Sequence, residues 1–186
     1  MENTADIICG FCEKLKPKFD VGISVHSYTD AFKTALINYK FRHSFYRARS
    51  FGRLLCEAYR KFNIEADVIV AVPIAFRNLH KRGYNASLEM AYCAGRELKI
   101  PVYDNVILKT KHTKQQSTVK LNERYENIKN AFDINTKHIH KIKDKVVLLV
   151  DDVLTTGATA SECSKILKKH GAAGVYLVTL LTGGGN

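Results

Sequence analysis

Asp151 and Asp152 close the apolar run Val146-Val147-Leu148-Leu149-Val150 and lead into Val153-Leu154-Thr155-Thr156-Gly157-Ala158-Thr159. The β-favouring run predicts a strand that ends at the acids, and Ala160 to His170 reads as a helix. Backbone N–H groups at a helix start have no intrahelical partners and bind anions. Gly157 and Ala158 are small enough to let a phosphate reach the backbone, and Thr155, Thr156 and Thr159 add hydroxyl donors. A phosphate therefore fits at residues 155–159. Asp151 and Asp152 would repel it. They suit an adjoining sugar, accepting hydrogen bonds from two neighbouring hydroxyls, directly or around Mg²⁺.

Two further stretches carry charge that suits the same kind of ligand. In Val72-Pro73-Ile74-Ala75-Phe76-Arg77-Asn78-Leu79-His80-Lys81-Arg82-Gly83-Tyr84-Asn85 a strand ends and cations gather at Arg77, Lys81 and Arg82. A departing pyrophosphate needs backbone donors and positive charge, and the loop from Pro73 through Ile74, Ala75 and Phe76 to Arg77 could supply the donors. The third stretch is Lys109-x-Lys111-x-Thr113-x-x-Gln116, then Arg124-x-x-Asn127-x-x-x-Ala131-Phe132. It reads as a mobile cationic flap whose closure excludes water and brings Lys109 and Lys111 to the phosphates. The Gly-Lys-Ser/Thr ending of a Walker loop is absent.

The Asp151-Asp152-x-x-Thr155-Thr156-Gly157-x-Thr159 arrangement resembles the phosphoribosyl-pyrophosphate (PRPP) loop of type I phosphoribosyltransferases. Together the three stretches resemble the competence protein F (ComF) family, phosphoribosyltransferase-like proteins linked to natural transformation. The family's Val-Pro and Arg-Gly-Phe-Asn become Val72-Pro73 and Arg82-Gly83-Tyr84-Asn85. Its Arg-x-Arg-x-Thr-x-x-Gln becomes Lys109 to Gln116, and its Arg-x-x-Asn…Ala-Phe matches Arg124, Asn127, Ala131 and Phe132. The resemblance runs from about Tyr39-Lys40-Phe41-Arg42 to Leu181. It implies PRPP as ligand, Mg²⁺ as cofactor, phosphoribosyl transfer with pyrophosphate release, and a part in DNA uptake. A non-catalytic PRPP sensor or a single-stranded DNA-binding protein is the alternative it leaves open. The lysines at 109 and 111 keep the charge of the family's arginines but lose their bidentate geometry.

These motifs need a scaffold that delivers them to one place. Strands are expected at Val21 to Tyr28, Asp67 to Val72, Asn105 to Leu108, Lys145 to Val150 and Val175 to Leu181. Helices are expected from Asp30, from Phe45 to Phe62, over Ser87 to Leu98 and over Ala160 to His170. The alternation predicts an α/β fold with a mainly parallel sheet flanked by helices, resembling type I phosphoribosyltransferases. Fully apolar strands such as Val68-Ile69-Val70 suit a sheet covered on both faces. In such sheets ligands bind beyond the carboxyl ends of the strands, where the loops after Val72 and Val150 both lie.

At 186 residues the chain suits one domain, residues 21–186, behind a short N-terminal segment, residues 1–20. The apolar runs are strand-length and the N-terminus lacks a signal-peptide pattern, which predicts a cytoplasmic protein with no membrane insertion. The formal charge of +11 favours acidic partners. Tyr39, Phe41, Phe45, Tyr46 and Phe51 interleave with Arg42, Arg47, Arg49 and Arg53, a pattern open to single-stranded DNA but better suited to the cores of two helices. Five cysteines in such a context argue against a disulfide scaffold. Cys9-Gly-Phe-Cys12 has zinc spacing but supplies two of four ligands, with His26 and His43 as weak candidates. By resemblance this pair is the remnant of a four-cysteine zinc finger, truncated or decayed. Zn²⁺ held within this chain alone is not expected. Two chains could share a metal, and a homodimer stays open.

Overall fold

The structure, a computed structural model, describes residues 16–27, 30–41, 45–61, 65–111, 113 and 123–183. Its frame is a parallel sheet in which β1 (Val21–Ser27), β7 (Gly174–Thr182), β6 (Val146–Leu154), β2 (Val68–Ala71) and β3 (Val102–Tyr103) lie side by side in that order. β2 is buried at every position, and so are Val147 to Val150 of β6. A strand covered on both faces has no solvent side to mark with polar residues, which is why these segments read as unbroken apolar runs.

Successive side chains along β6 enter different cores. Val147 and Leu149 join a cluster with Cys163, Ile166 and Leu167 of the helix Ala158–Lys169. Leu148 and Val150 join the opposite cluster, with Phe51, Leu55, Ala58 and Tyr59 of the helix Ala48–Lys61 and Met90 and Ala91 of the helix Ala86–Leu98. Each fully buried aliphatic side chain contributes roughly 1.5–3 kcal/mol relative to exposure. In chain order the helices are α1 (Asp30–Phe41), α2 (Ala48–Lys61), α3 (Phe76–Arg82), α4 (Ala86–Leu98), α5 (Arg124–Ile128) and α6 (Ala158–Lys169). The antiparallel pair β4 (Ile107–Lys109) and β5 (Phe132–Ile134) packs on the α6 side.

The expected helices and strands are present, with four corrections. β6 does not stop at Val150 but runs to Leu154, because Asp151, Val153 and Leu154 keep pairing with Thr179, Leu181 and Thr182 of β7. α6 begins at Ala158, two residues earlier than its apolar period suggests. The loop after β2 ends at Ala75, and Phe76 to Arg82 form the short helix α3, which buries no residue. Such a helix has no apolar stripe for a periodicity reading to find. Lys109 is the last residue of β4, its backbone opposite Phe132, so the proposed flap starts from an anchored strand. The middle of that stretch, with Gln116, lies outside the described residues.

Candidate functional site

The site forms where β6 and β2 deliver their carboxyl ends. Asp151 and Asp152 are consecutive strand residues, so their side chains leave on opposite faces. Their surroundings follow that alternation. Asp152 Oδ2 meets the Lys40 ammonium of α1 at 2.6 Å, with each side chain less than one-fifth exposed. Asp151 lies within electrostatic reach of Lys109 and Cys163 on the α6 side. Its Oδ1 accepts from the Ser87 hydroxyl at 3.1 Å and from the Asp152 backbone N–H at 2.8 Å.

The two carboxylates therefore differ in character. Burial, reinforced by the charge of Asp152, pushes the Asp151 carboxyl up to about 7, against the opposing pull of the Asp152 N–H, Lys40 and Ser87. Burial likewise lowers the Lys109 ammonium, although Cys163 and Asp151 pull it the other way. Its Nζ lies 5.5 Å from the centre of the Phe132 ring. Cys163, fully buried beneath them, is held well above the usual thiol range by the same desolvation and by Asp151. It is a protonated packing residue rather than a nucleophile.

The turn after β6 is tied down from several sides. Gly157 has φ of +68°, a left-handed conformation that ordinary side chains resist. A Cβ there would stand 3.5 Å from both Leu154 and Phe19. Thr156 is 5% exposed, and its hydroxyl accepts from the Ala158 N–H at 3.4 Å. It therefore serves the turn itself, whereas Thr155 faces outward. The Tyr125 hydroxyl of α5 donates to the Thr156 carbonyl at 3.1 Å and so fastens the basic stretch to this turn.

The turn after β2 is arranged differently. The Asn85 amide donates to the Val72 carbonyl at 3.0 Å, while its Oδ1 accepts from the Ser87 N–H and caps α4. That cap places Ser87 beside Asp151. Pro73 and Ile74 are partly buried; Arg77 and Lys81 are exposed on α3, and Phe76 is 78% exposed. The Ala75 carbonyl accepts the N–H groups of Asn78 and Leu79, which starts α3 without a side-chain cap.

Every described residue expected at the site is thus placed. Asp151, Asp152, Lys109 and the 155–159 turn come together, Arg82 lies beside the end of α1, and Arg77 and Lys111 stand outward. Sequence reasoning missed Lys40, Ser87 and Tyr125. Lys40 was visible only within Tyr39-Lys40-Phe41-Arg42, where the family resemblance begins, and Ser87 only as the start of a helix. Cys9, Cys12 and His43 lie outside the described residues, and the His26 ring packs against Phe32 at 4.5 Å. Among the described residues no group of three or more His, Cys, Asp or Glu could hold a metal by itself. Of the aromatic residues set between arginines, Tyr39 and Phe51 are core, whereas Phe41 and Tyr46 are 49% and 68% exposed.

Known proteins are similar to this chain in sequence and in fold. Residues 46–185 match the phosphoribosyl transferase domain family, so the class of the protein is that of the phosphoribosyltransferase-like domains. Competence protein F of Haemophilus influenzae is 32% identical over 168 residues, which cover 88% of this chain and 73% of that protein. The chain belongs to the competence protein F family. The DNA utilization protein YhgH of Escherichia coli K12 is 28% identical over 174 residues, covering 91% of this chain and 75% of that protein. Glutamine PRPP amidotransferase from B. subtilis superposes with a TM-score of 0.52 at 17% identity. That likeness covers 77% of this chain and 30% of the larger enzyme, and it is a likeness of fold. Among the described residues no helix is long and apolar enough to cross a membrane.

Proposed function

We propose that the protein binds PRPP at the carboxyl end of β6 and transfers its phosphoribosyl group with release of pyrophosphate, in a role connected with DNA uptake. The observation that carries this reading is the pairing of Asp151 and Asp152 with a turn whose backbone is opened by Gly157 at φ of +68°. Residues 155–159 would take the 5′-phosphate at the start of α6. Asp151 and Asp152 would accept hydrogen bonds from the ribose hydroxyls. The Pro73–Arg77 loop, with Lys81 and Arg82, would face the pyrophosphate.

The donor set also fits Mg²⁺. Asp151 and Asp152 are hard oxygen donors, and Mg²⁺ takes one or two carboxylates when a substrate phosphate completes its shell. The metal would supply charge neutralisation between sugar and pyrophosphate. In the transfer, the C1–oxygen bond breaks with its electron pair leaving on pyrophosphate, and a bond forms from C1 to the acceptor. Positive charge develops at C1, as in glycoside cleavage. The contribution of this chain is to position the ligand and to offer fixed charge, with Lys109 held near Asp151.

Calorimetric titration of PRPP with Mg²⁺ tests the reading. We expect binding to the wild type and a loss of roughly 100-fold for Asp152→Asn, which removes a charge-assisted acceptor. Equal affinity of the two would remove the site assignment. Pyrophosphate release across a panel of acceptors then separates transfer from binding alone.

A second reading, a non-catalytic protein that handles single-stranded DNA, is supported by a different surface. A groove of about 650 Å³ is lined by Tyr46, Arg49, Arg53 and Arg96 together with Glu89, Glu97 and Cys93. An exposed aromatic ring among arginines suits stacked bases and phosphates. The names of the competence and DNA utilization relatives agree with such a role.

A further inference from the structure

Lys40 stands in the last turn of α1, and contacts on both sides of it hold that turn in place. The Tyr39 ring is fully buried and meets Phe51 edge-on at 5.2 Å, and its hydroxyl donates to the Ala86 carbonyl at 2.9 Å. The Tyr84 hydroxyl donates back to the Tyr39 carbonyl. On the other side, the Arg82 guanidinium lies 4.5 Å from the centre of the Phe41 ring, a cation–π contact. The end of α1 is thereby fastened to the α3–α4 junction. Between them remains a cavity of about 90 Å³ lined by Lys40, Phe41, Lys81 and Arg82.

The wall of this cavity carries three cations and no acid among the described residues. Among the described residues, Lys81 and Arg82 have no carboxylate within ion-pair distance, whereas Lys40 is committed to Asp152 at 2.6 Å. One ammonium therefore stands between a cationic cavity and the carboxylate expected to hold the sugar. We propose that Lys40 joins Lys81 and Arg82 in the diphosphate subsite, as the positioning residue that couples this subsite to Asp152. At 2.6 Å the Lys40 ammonium neutralises Asp152. A diphosphate in the cavity draws the ammonium toward itself and leaves Asp152 to the sugar hydroxyls and the metal. The coupling has a sign: without metal, Asp152 and a diphosphate compete for one cation, so weakening either partner strengthens the other. The inference rests on the PRPP reading of the acids, but inorganic pyrophosphate tests it separately.

The experiment is calorimetric titration of inorganic pyrophosphate, in EDTA, into the full chain. Lys40→Met is expected to weaken binding about tenfold, and Lys40→Arg to restore most of it. Asp152→Asn is expected to tighten pyrophosphate binding several-fold while weakening Mg²⁺–PRPP, and the gain should vanish in the Lys40→Met/Asp152→Asn double variant. A purely structural ion pair would not give opposite signs for the two ligands. Exposed Lys81→Ala serves as a second probe that leaves the Tyr39 anchor intact, with weakening again expected. Unchanged pyrophosphate affinity in Lys81→Ala, or weaker binding in a folded Asp152→Asn, would overturn the subsite. Failure of wild type to bind Mg²⁺–PRPP, alongside the expected pyrophosphate pattern, would instead remove the PRPP reading and leave the subsite standing.

Discussion

The turns after β6 and after β2 leave the carboxyl ends of neighbouring parallel strands, yet one is built into the protein and the other is laid upon it. After β6, Thr156 is buried, Tyr125 ties its carbonyl, and Asp151 is held by Ser87 and a backbone N–H. After β2, α3 buries no residue, has no side-chain cap at its start, and leaves Phe76 78% exposed. The contrast separates two tasks. Under the PRPP reading, positioning a sugar and its 5′-phosphate needs directed hydrogen bonds at fixed positions, hence a rigid turn. Attracting an anion needs charge at roughly the right place, which a loosely attached helix provides.

If rigidity at β6 serves binding, it should come at the expense of stability there, and Asp151 offers the largest effect. Its carboxyl is raised from the usual aspartate range to about 7, first by burial and then by Asp152. Between about pH 4 and 7 the folded protein therefore keeps a proton that the unfolded chain has released. Stability falls as pH rises through that window, because the folded state binds more protons than the unfolded one. Asp151→Asn lacks this liability and still accepts from Ser87. We expect its melting temperature at pH 8 to exceed that of wild type by about 2–6 °C, with the gap closing toward pH 4. Mg²⁺–PRPP affinity should fall roughly 30-fold at the same time. A variant that melts lower at pH 8 than at pH 5, relative to wild type, would contradict the desolvated state of Asp151. In the wild type, ligand affinity should rise as pH passes through about 7, as Asp151 loses its proton.

The same contrast explains what could be read from the chain. β2 and β6 were legible because strands covered on both faces must be apolar throughout, and the acids were legible because they interrupt such a run. The end of β6 was not, since Asp151 and Asp152 look like the start of a loop. Only their pairing partners in β7, far along the chain, keep them extended. α3 escaped because nothing in it is buried. Lys40 escaped for a further reason: its role depends on Tyr39 and Phe41, which flank it and face α4 and Arg82, and such cross-chain packing leaves no local period.

Glycine substitution sharpens the comparison at the level of single backbone positions. Gly157 and Gly83 both have positive φ, +68° and +80°, so alanine at either is strained by about 1 kcal/mol. Their surroundings differ: a Cβ at Gly157 would meet Leu154 and Phe19, and one at Gly83 would meet nothing within 4 Å. Gly83→Ala should thus lower stability by that strain alone and leave Mg²⁺–PRPP affinity within about twofold. Gly157→Ala should lower stability by a similar amount and weaken the ligand about tenfold, because a strained turn displaces the backbone N–H groups that would hold the phosphate. Thermal melts set beside calorimetric affinities decide the matter, and equal affinity losses at the two glycines would mean that the β6 turn is no more specialised than its neighbour.

The smallest expected effect probes the loosely attached side. Arg77 is exposed on α3, and no ion pair forms with it among the described residues. An exposed guanidinium acts on a distant anion through a screened field, so its influence should shrink as salt shortens the Debye length from about 30 Å at 0.01 M to about 8 Å at 0.15 M. Arg77→Ala is therefore expected to weaken pyrophosphate binding about threefold at low salt and not measurably at physiological salt, with an unchanged melting temperature. Asp152→Asn differs in kind, since its partner sits 2.6 Å away and partly buried, where salt screens little. Measuring both variants across a salt series distinguishes the two modes. Should Arg77→Ala keep its full effect at high salt, Arg77 touches the ligand directly, and α3 is a formed wall of the site rather than a charged surface near it.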